Sequence, residues 1–197
     1  MARGLRLNSW ALLAALFALG AACAWFVPPT RLDWQGVVSW RAFSAAFVHW
    51  TPLHLGANLL GCVALAWLGI EARLPTRSTI AWLIAWPLTQ LGLLLRPELT
   101  SFGGLSGVLH AGVAIAAIEL MFRQKRERLI GAAIMAGLCF KIASENPLGP
   151  ALQQVSGWDM PVVPLAHLSG AIAGALTALA IIATTSGGRS PRAEPRS

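Results

Sequence analysis

Long apolar runs separated by short polar segments dominate the hydropathy pattern of this chain. Six runs are continuous enough to form membrane helices, over residues 10–27, 53–70, 80–95, 105–122, 129–143 and 162–183. A hydrocarbon core about 30 Å thick requires roughly 20 apolar residues as a helix, so several runs are short for a full crossing. Short spans are typical of helices that begin below the membrane surface around an enclosed cavity. The pattern predicts an all-α membrane protein with six transmembrane helices.

The composition agrees with a membrane environment. Of the 197 residues, 56% are hydrophobic and 12% are charged, whereas soluble domains carry about 25% charged residues. The net charge of +7 would suit nucleic acid, but the basic residues lie in short segments between apolar runs, which argues against that partner. The three cysteines lie inside the runs without metal-ligand spacing, and nothing in the sequence requires a metal or cofactor.

The basic residues also predict the orientation of the chain. Eleven of the 15 Lys and Arg side chains occur on the side that holds both termini. They are Arg3, Arg6, Arg73, Arg77, Arg123, Lys125, Arg126, Arg128, Arg189, Arg192 and Arg196. The positive-inside rule therefore places both termini in the cytoplasm. We expect a membrane domain over residues 1–185 and a disordered, basic cytoplasmic tail over residues 186–197.

The first run permits a second interpretation. Arg3 and Arg6, the apolar core and the small residues at 22–24 also resemble a signal peptide. The predicted orientation favours a retained first helix.

Ser106 has the setting of an activated serine. Glycines at 103, 104 and 107 allow tight turning and close backbone approach around it, at the start of the fourth run. If a helix begins here, its free N–H groups and positive dipole end point at the serine, as an oxyanion requires. The alternative is helix packing, because Gly103, Gly107 and Ala111 form a ridge of small residues.

His167 is the candidate base for Ser106. Gly170 and Gly174 share one helix face with His167, and a face with so little bulk can press against the fourth helix. His110 competes for this role because it follows Ser106 by one helical turn. We favour His167, since a base on the same helix is less free to serve both proton transfers. A packing face with one hydrogen-bonded histidine is the alternative.

Further polar residues lie at membrane depth. His54 and Asn58 project from one face of the second run and can donate to an oxyanion, or can serve as polar contacts between helices. Lys141 and Glu145 are spaced as an ion pair that makes a buried lysine tolerable. No carboxylate occupies a position obvious for a third catalytic residue, so the residues predict a Ser–His dyad.

Together these motifs resemble the rhomboid intramembrane proteases. The resemblance rests on five motifs, which occur in order along most of the chain. They are Trp40-Arg41, His54, Asn58, Gly104-x-Ser106-Gly107 and Ala166-His167-x-x-Gly170-x-x-x-Gly174. It implies a six-helix fold whose short fourth helix begins at the nucleophile, water access from the outer face and lateral entry of substrate. It also implies that His54, Asn58 and the Ser106 N–H bind the oxyanion, and that Gly104 is the first glycine of the motif.

One departure points to a branch of that family. Many rhomboids carry Tyr where this chain has His110, and the chain has no Tyr at all. That change, the compact core and the Lys141–Glu145 spacing are similar to the rhombosortases, which are associated with proteins bearing a GlyGly-CTERM tail. The resemblance implies a multi-pass protein of a bacterial inner membrane. It would cleave the C-terminal hydrophobic anchor of exported proteins, so its partners would be membrane-anchored proteins and lipid.

Other classes of function stay open. A general rhomboid protease with other single-span clients and an inactive rhomboid relative that binds client helices are the nearest alternatives. A membrane cytochrome with histidine-ligated haem is a further one, although the histidines lack paired ligands at matching depths. A transporter is disfavoured because no internal repeat is visible.

Overall fold

A computed structural model describes residues 8–186 of the chain. Within this range the fold is helical, and residue pairs with β geometry occur as two isolated bridges. The helices are α1 (Ser9–Ala24), α2 (Arg41–Ser44), α3 (Pro52–Glu71), α4 (Thr76–Leu88), α5 (Ser106–Met121), α6 (Lys125–Ser144) and α7 (Pro164–Ser186). The all-α expectation is confirmed, and each predicted apolar run coincides with one of the six long helices.

Helix length separates these elements. Among the described residues, three segments are long and apolar enough to cross a membrane: Pro52–Glu71, Thr76–Leu95 and Pro164–Thr185. The second of these includes the 3₁₀ turn Leu91–Leu95, which follows α4. Helices α1 and α5 are apolar but shorter. Six complete crossings and cytoplasmic termini stay predictions. The predicted tail, residues 186–197, and the basic residues Arg3 and Arg6 lie outside the described residues, apart from Ser186 at the end of α7.

Helix α5 forms the centre of the bundle. Most of its side chains are buried, and it packs against α3, α4, α6 and α7. Its closest neighbour is α7, because side-chain atoms added at Gly170 and Gly174 would collide with the backbone of Gly107 and Ala111. The packing predicted from the small-residue face of α7 is therefore confirmed. Residues on α5 and α7 are held within reach of each other by backbone contact.

Candidate active site

Ser106 is the first residue of α5, as the resemblance implies. Among residues 8–186, no side chain caps this helix N-terminus, so the first N–H groups are available to another acceptor. The chain reaches Ser106 through Gly104, whose φ of +140° disfavours any residue with a Cβ atom. The N–H of Gly104 donates to the Ala45 carbonyl over 2.9 Å, which ties this turn to the preceding loop.

His167 lies directly opposite Ser106. Its Nε2 is 3.0 Å from Ser106 Oγ, and its Nδ1 is 2.7 Å from Glu145 Oε2. A carboxylate oxygen accepts hydrogen bonds, so Nδ1 carries the proton and Nε2 presents a lone pair to the serine hydroxyl. Three side chains from α5, the end of α6 and α7 therefore form one hydrogen-bonded chain.

Glu145 adds a carboxylate contact to the expected two-residue arrangement. The predicted ion pair is present, with Lys141 Nζ donating to Glu145 Oε1 over 2.5 Å, but the lysine is exposed rather than buried. The other carboxylate oxygen binds His167. Glu145 lies one residue beyond the end of α6. Burial raises the pKa of its carboxyl, but hydrogen bonds from His167 and Lys141 and the positive charge of Lys141 outweigh burial and lower the pKa to about 2. Glu145 is thus ionised at neutral pH.

Sequence reasoning missed the Glu145 contact because it paired residues along helices rather than across them. One signal was available: in the predicted topology the fifth run ends, and the sixth begins, on the same side of the membrane. Such a topology would bring Glu145 and His167 to similar depth.

His110 contacts the serine backbone and not its hydroxyl. Its Nδ1 lies 2.7 Å from the Ser106 carbonyl oxygen, and a carbonyl can only accept, so His110 is the donor. Its ring stacks on that of His167, with centroids 4.2 Å apart and planes inclined by 9°. Of the two rival histidines, His167 is therefore the one placed against Ser106 Oγ, and His110 covers one face of its ring.

His54 projects from the first turn of α3 toward the loop before Ser106. A Cβ atom added at Gly104 would lie 2.9 Å from His54 Nε2, so the ring approaches a backbone that only glycine leaves open. His54 as a whole residue is 7% exposed, and its Nδ1 has no hydrogen-bond partner among the described residues. Thr51 caps α3 by accepting from the His54 N–H over 3.1 Å, which fixes the start of this helix.

Asn58 lies one turn beyond His54, and its amide nitrogen already donates to two acceptors. Its Nδ2 group donates to the His54 carbonyl and to His49 Nε2, each over 3.1 Å. His49 Nδ1 donates to the Phe47 carbonyl over 3.0 Å, which leaves Nε2 as the acceptor. Burial lowers the pKa of His49, consistent with a neutral ring. Its position before α3 was the one sequence signal for this His49 contact.

A polar network holds the loop that leads to Ser106. Arg41 Nη1 donates to the Asp33 carbonyl and carboxylate, each over 2.9 Å. The second carboxylate oxygen of Asp33 accepts from Ser101 Oγ over 2.7 Å. Backbone hydrogen bonds in both directions join Trp34 and Phe102. Arg41, from the Trp40-Arg41 motif, therefore acts at a distance by fixing the approach to α5.

A cavity of about 960 Å³ opens beside Ser106 and His167. Residues of α3, α5 and α6 line it, together with part of the loop between α6 and α7. Most of the lining is apolar; its polar members include His54, Asn58, Lys141 and Glu145. In that loop, Asp159 accepts a hydrogen bond from Thr51 over 2.8 Å, which joins the loop to the start of α3. The cavity is large enough for a segment of peptide chain.

Three side chains here carry metal-ligand atoms. Those of His110, Glu145 and His167 lie within 4.8 Å of one another. The two imidazole rings are nearly parallel, however, so their in-plane lone pairs do not converge on one point. A shared ion would require one ring to turn, which would break the contact to Ser106. The donor set fits a hydrogen-bonded chain better than a metal.

The fold and the site together define the class: a multi-pass membrane protein with a serine hydroxyl against an imidazole inside its helical bundle. A family model, the Rhomboid domain, matches residues 36–184. The chain belongs to the rhomboid family, whose members are serine intramembrane proteases. Among curated proteins, none matches the sequence of this chain.

Proposed function

We propose that this chain is an intramembrane serine endopeptidase in which Ser106 is the nucleophile and His167 the general base. One observation carries the proposal: the 3.0 Å contact between Ser106 Oγ and His167 Nε2. It occurs at an uncapped helix N-terminus beside a cavity of about 960 Å³. A serine hydroxyl is a weak nucleophile, and an adjacent imidazole with a free lone pair is what activates it.

The proposed reaction proceeds through an acyl-enzyme. Ser106 Oγ bonds to the scissile carbonyl carbon while its proton passes to His167 Nε2. The C–N bond then breaks, His167 returns the proton to the leaving amine, and an ester on Ser106 remains. Water attacks this ester, with His167 again as base, and releases the carboxylic acid.

We propose that the oxyanion is bound by the N–H of Ser106 and by His54. Both groups lie at the turn around Gly104, where His54 Nε2 approaches the backbone and can donate a hydrogen bond. Asn58 could join them only by exchanging its hydrogen bond to His49 for one to the oxyanion. Gly104, Gly107, Gly170 and Gly174 support this arrangement through close backbone approach, and His110 supports it by stacking on His167.

We propose that the substrate is the C-terminal anchor of an exported protein, a GlyGly-CTERM tail, cleaved near the outer face of a bacterial inner membrane. His110 in place of Tyr and the Lys141–Glu145 pair support the rhombosortase branch. An apolar cavity between α3 and α6 suits lateral entry of a hydrophobic segment. Small residues beside a scissile bond would suit the tight turn at Gly103 and Gly104.

The activity is tested by labelling the purified protein in detergent with a fluorophosphonate, followed by peptide mapping. We expect an adduct on Ser106 that is lost in Ser106→Ala and in His167→Ala, while thermal unfolding of both variants stays near that of the parent. Folded parent protein that takes up no label would contradict an activated serine and leave client binding without cleavage as the function.

The substrate class is tested in a second arm of the same experiment. Reporter proteins carry either a Gly-Gly signal, hydrophobic helix and basic end, or the same helix with the two glycines replaced by leucine. We expect cleavage of the first reporter only. Equal cleavage of both would identify a general rhomboid protease, and product mass would distinguish hydrolysis from transfer to another nucleophile.

A further inference from the structure

We infer that Glu145 is a positioning residue for His167 and completes a Ser106–His167–Glu145 triad in which Lys141 holds the carboxylate. This inference rests on the proposed function, because it assigns a role in the same reaction. The residues alone predicted a Ser–His dyad, and the contact between Glu145 and His167 adds a carboxylate to it. Four residues form this arrangement: Ser106 on α5, His167 on α7, Lys141 on α6 and Glu145 just beyond the end of α6.

The tautomer of His167 depends on Glu145. A neutral imidazole can present its lone pair at either nitrogen, and only the Nε2 lone pair faces Ser106 Oγ. The carboxylate 2.7 Å from Nδ1 can bind only the tautomer with the proton on Nδ1. It therefore selects the form that can act as a base and holds the ring in that orientation.

Glu145 also supplies a negative charge beside His167. When His167 takes the serine proton it becomes positive, and its other ring neighbours offer no negative charge. His110 stacks on it from α5, and His54 from α3 and Lys141 from α6 also line the cavity. Glu145 is the acid in direct contact with the ring, and so it stabilises the imidazolium that forms during the reaction.

The backbone that follows Glu145 directs its carboxylate toward α7. Helix α6 ends at Ser144, and Asn146 adopts a positive φ of 47°, a conformation that Asn tolerates better than most residues. The Asn146 carbonyl accepts from the Gly149 N–H and from Gln153 Nε2, each over 2.9 Å. The chain therefore turns away sharply after Glu145, which leaves its side chain directed at α7.

Lys141 holds the Glu145 carboxylate in one orientation. Its side chain is 48% exposed, and ion pairs this exposed contribute little to stability. The pair nevertheless occupies Oε1, so the carboxylate cannot rotate freely and Oε2 stays directed at His167. Orientation of Glu145 is the consequence of the pair that the geometry supports best.

The test measures the rate of fluorophosphonate labelling of the full chain in detergent as a function of pH. Glu145→Gln is compared with Glu145→Asp, Lys141→Met and the matched control Glu98→Gln, which removes an exposed carboxylate paired with Arg96. We expect Glu145→Gln to lower the rate by about 100-fold or more and to shift the acid limb of its pH profile to lower pH. Glu145→Asp recovers part of the rate, Lys141→Met lowers it several-fold, and Glu98→Gln leaves rate and profile unchanged.

A parental rate and profile in Glu145→Gln would overturn the inference, even though loss of labelling in Ser106→Ala and His167→Ala would still support the proposed function. A second readout needs no activity. Nitrogen NMR of the histidine rings reports the tautomer of His167, identified by its loss in His167→Ala. We expect the proton on Nδ1 in the parent and in Ser106→Ala, and a mixture of tautomers in Glu145→Gln. A proton on Nε2 in the parent would refute the triad directly.

Discussion

The two ends of α5 place charged residues inside the bundle in opposite ways. At its start, Ser106 and His167 meet Glu145, whose side chain is 24% exposed beside the open cavity. Near its end, Glu119 is 4% exposed. It accepts from Arg77 over 2.6 and 3.0 Å and from Ser78 over 3.2 Å. Arg123 lies 3.9 Å away from the same carboxylate.

The comparison shows what separates a structural ion pair from a reactive one. Arginine stays protonated and binds both oxygens of Glu119, so that site has no proton to exchange. At the other end the partner is an imidazole, which can accept a proton at Nε2, and a hydroxyl lies within its reach. Burial of a carboxylate alone therefore does not mark a functional site; the partner and the access to a cavity do.

The largest expected effect comes from Gly170→Val, which tests whether backbone contact holds the Ser106 end together. Added side-chain atoms collide with the Gly107 backbone, and a backbone cannot move aside as a side chain can. We expect a loss of about 3 kcal/mol in the free energy of unfolding and loss of labelling. Gly137→Ala is the control, because nothing lies within 4 Å of the added atom. Equal stability of the two variants, measured by thermal unfolding in detergent, would contradict the close contact.

A smaller effect is expected from Glu119→Gln, which tests the ion pair near the C-terminal end of α5. Removing the charge leaves Arg77 without its carboxylate, and breaking a buried pair is costly. Arg77 is 36% exposed, so the pair is only partly buried. We therefore expect the free energy of unfolding to fall by about 2 kcal/mol, less than for a fully buried pair. The rate of labelling per folded molecule should be unchanged. A Glu119→Gln protein of normal stability but lower labelling rate would reverse the assignment of the two ends.

The smallest effect is expected from His110→Tyr. A tyrosine ring can replace the stacking on His167, although its hydroxyl group replaces the donor to the Ser106 carbonyl. We expect labelling within about tenfold of the parent rate, a barrier change of about 1.4 kcal/mol or less, whereas His167→Ala abolishes it. If His110→Tyr lost all labelling while His167→Ala kept it, the base would be His110.

Much of the fold follows from local patterns in the sequence. Apolar runs predicted the six long helices because lipid-facing and buried positions both require apolar residues. The close approach of α7 was predictable from glycine spacing, and the resemblance implied that a helix begins at Ser106. Both features depend on residues near one another in the chain.

The contacts that complete the site were not predictable in this way, because they join residues from different helices. Neither spacing nor periodicity shows that Glu145 reaches His167 or that Asn58 is held by His49. His110 and His167 were both plausible neighbours of Ser106, and only the relative placement of α5 and α7 separates them. Glu119 lies inside an apolar run, and only the packing of α4 shows that Arg77 binds it.

The backbone contact between α5 and α7 also divides α7 into two surfaces that tolerate change differently. On the contact surface, Gly170 and Gly174 have no larger substitute, since the neighbouring backbone fills the space. On the opposite surface, Ile172, Leu176 and Leu179 are exposed, and any apolar side chain serves there. The lipid-facing side of this helix is therefore free to adapt to bilayers of different thickness and composition while the distance between Ser106 and His167 stays constant.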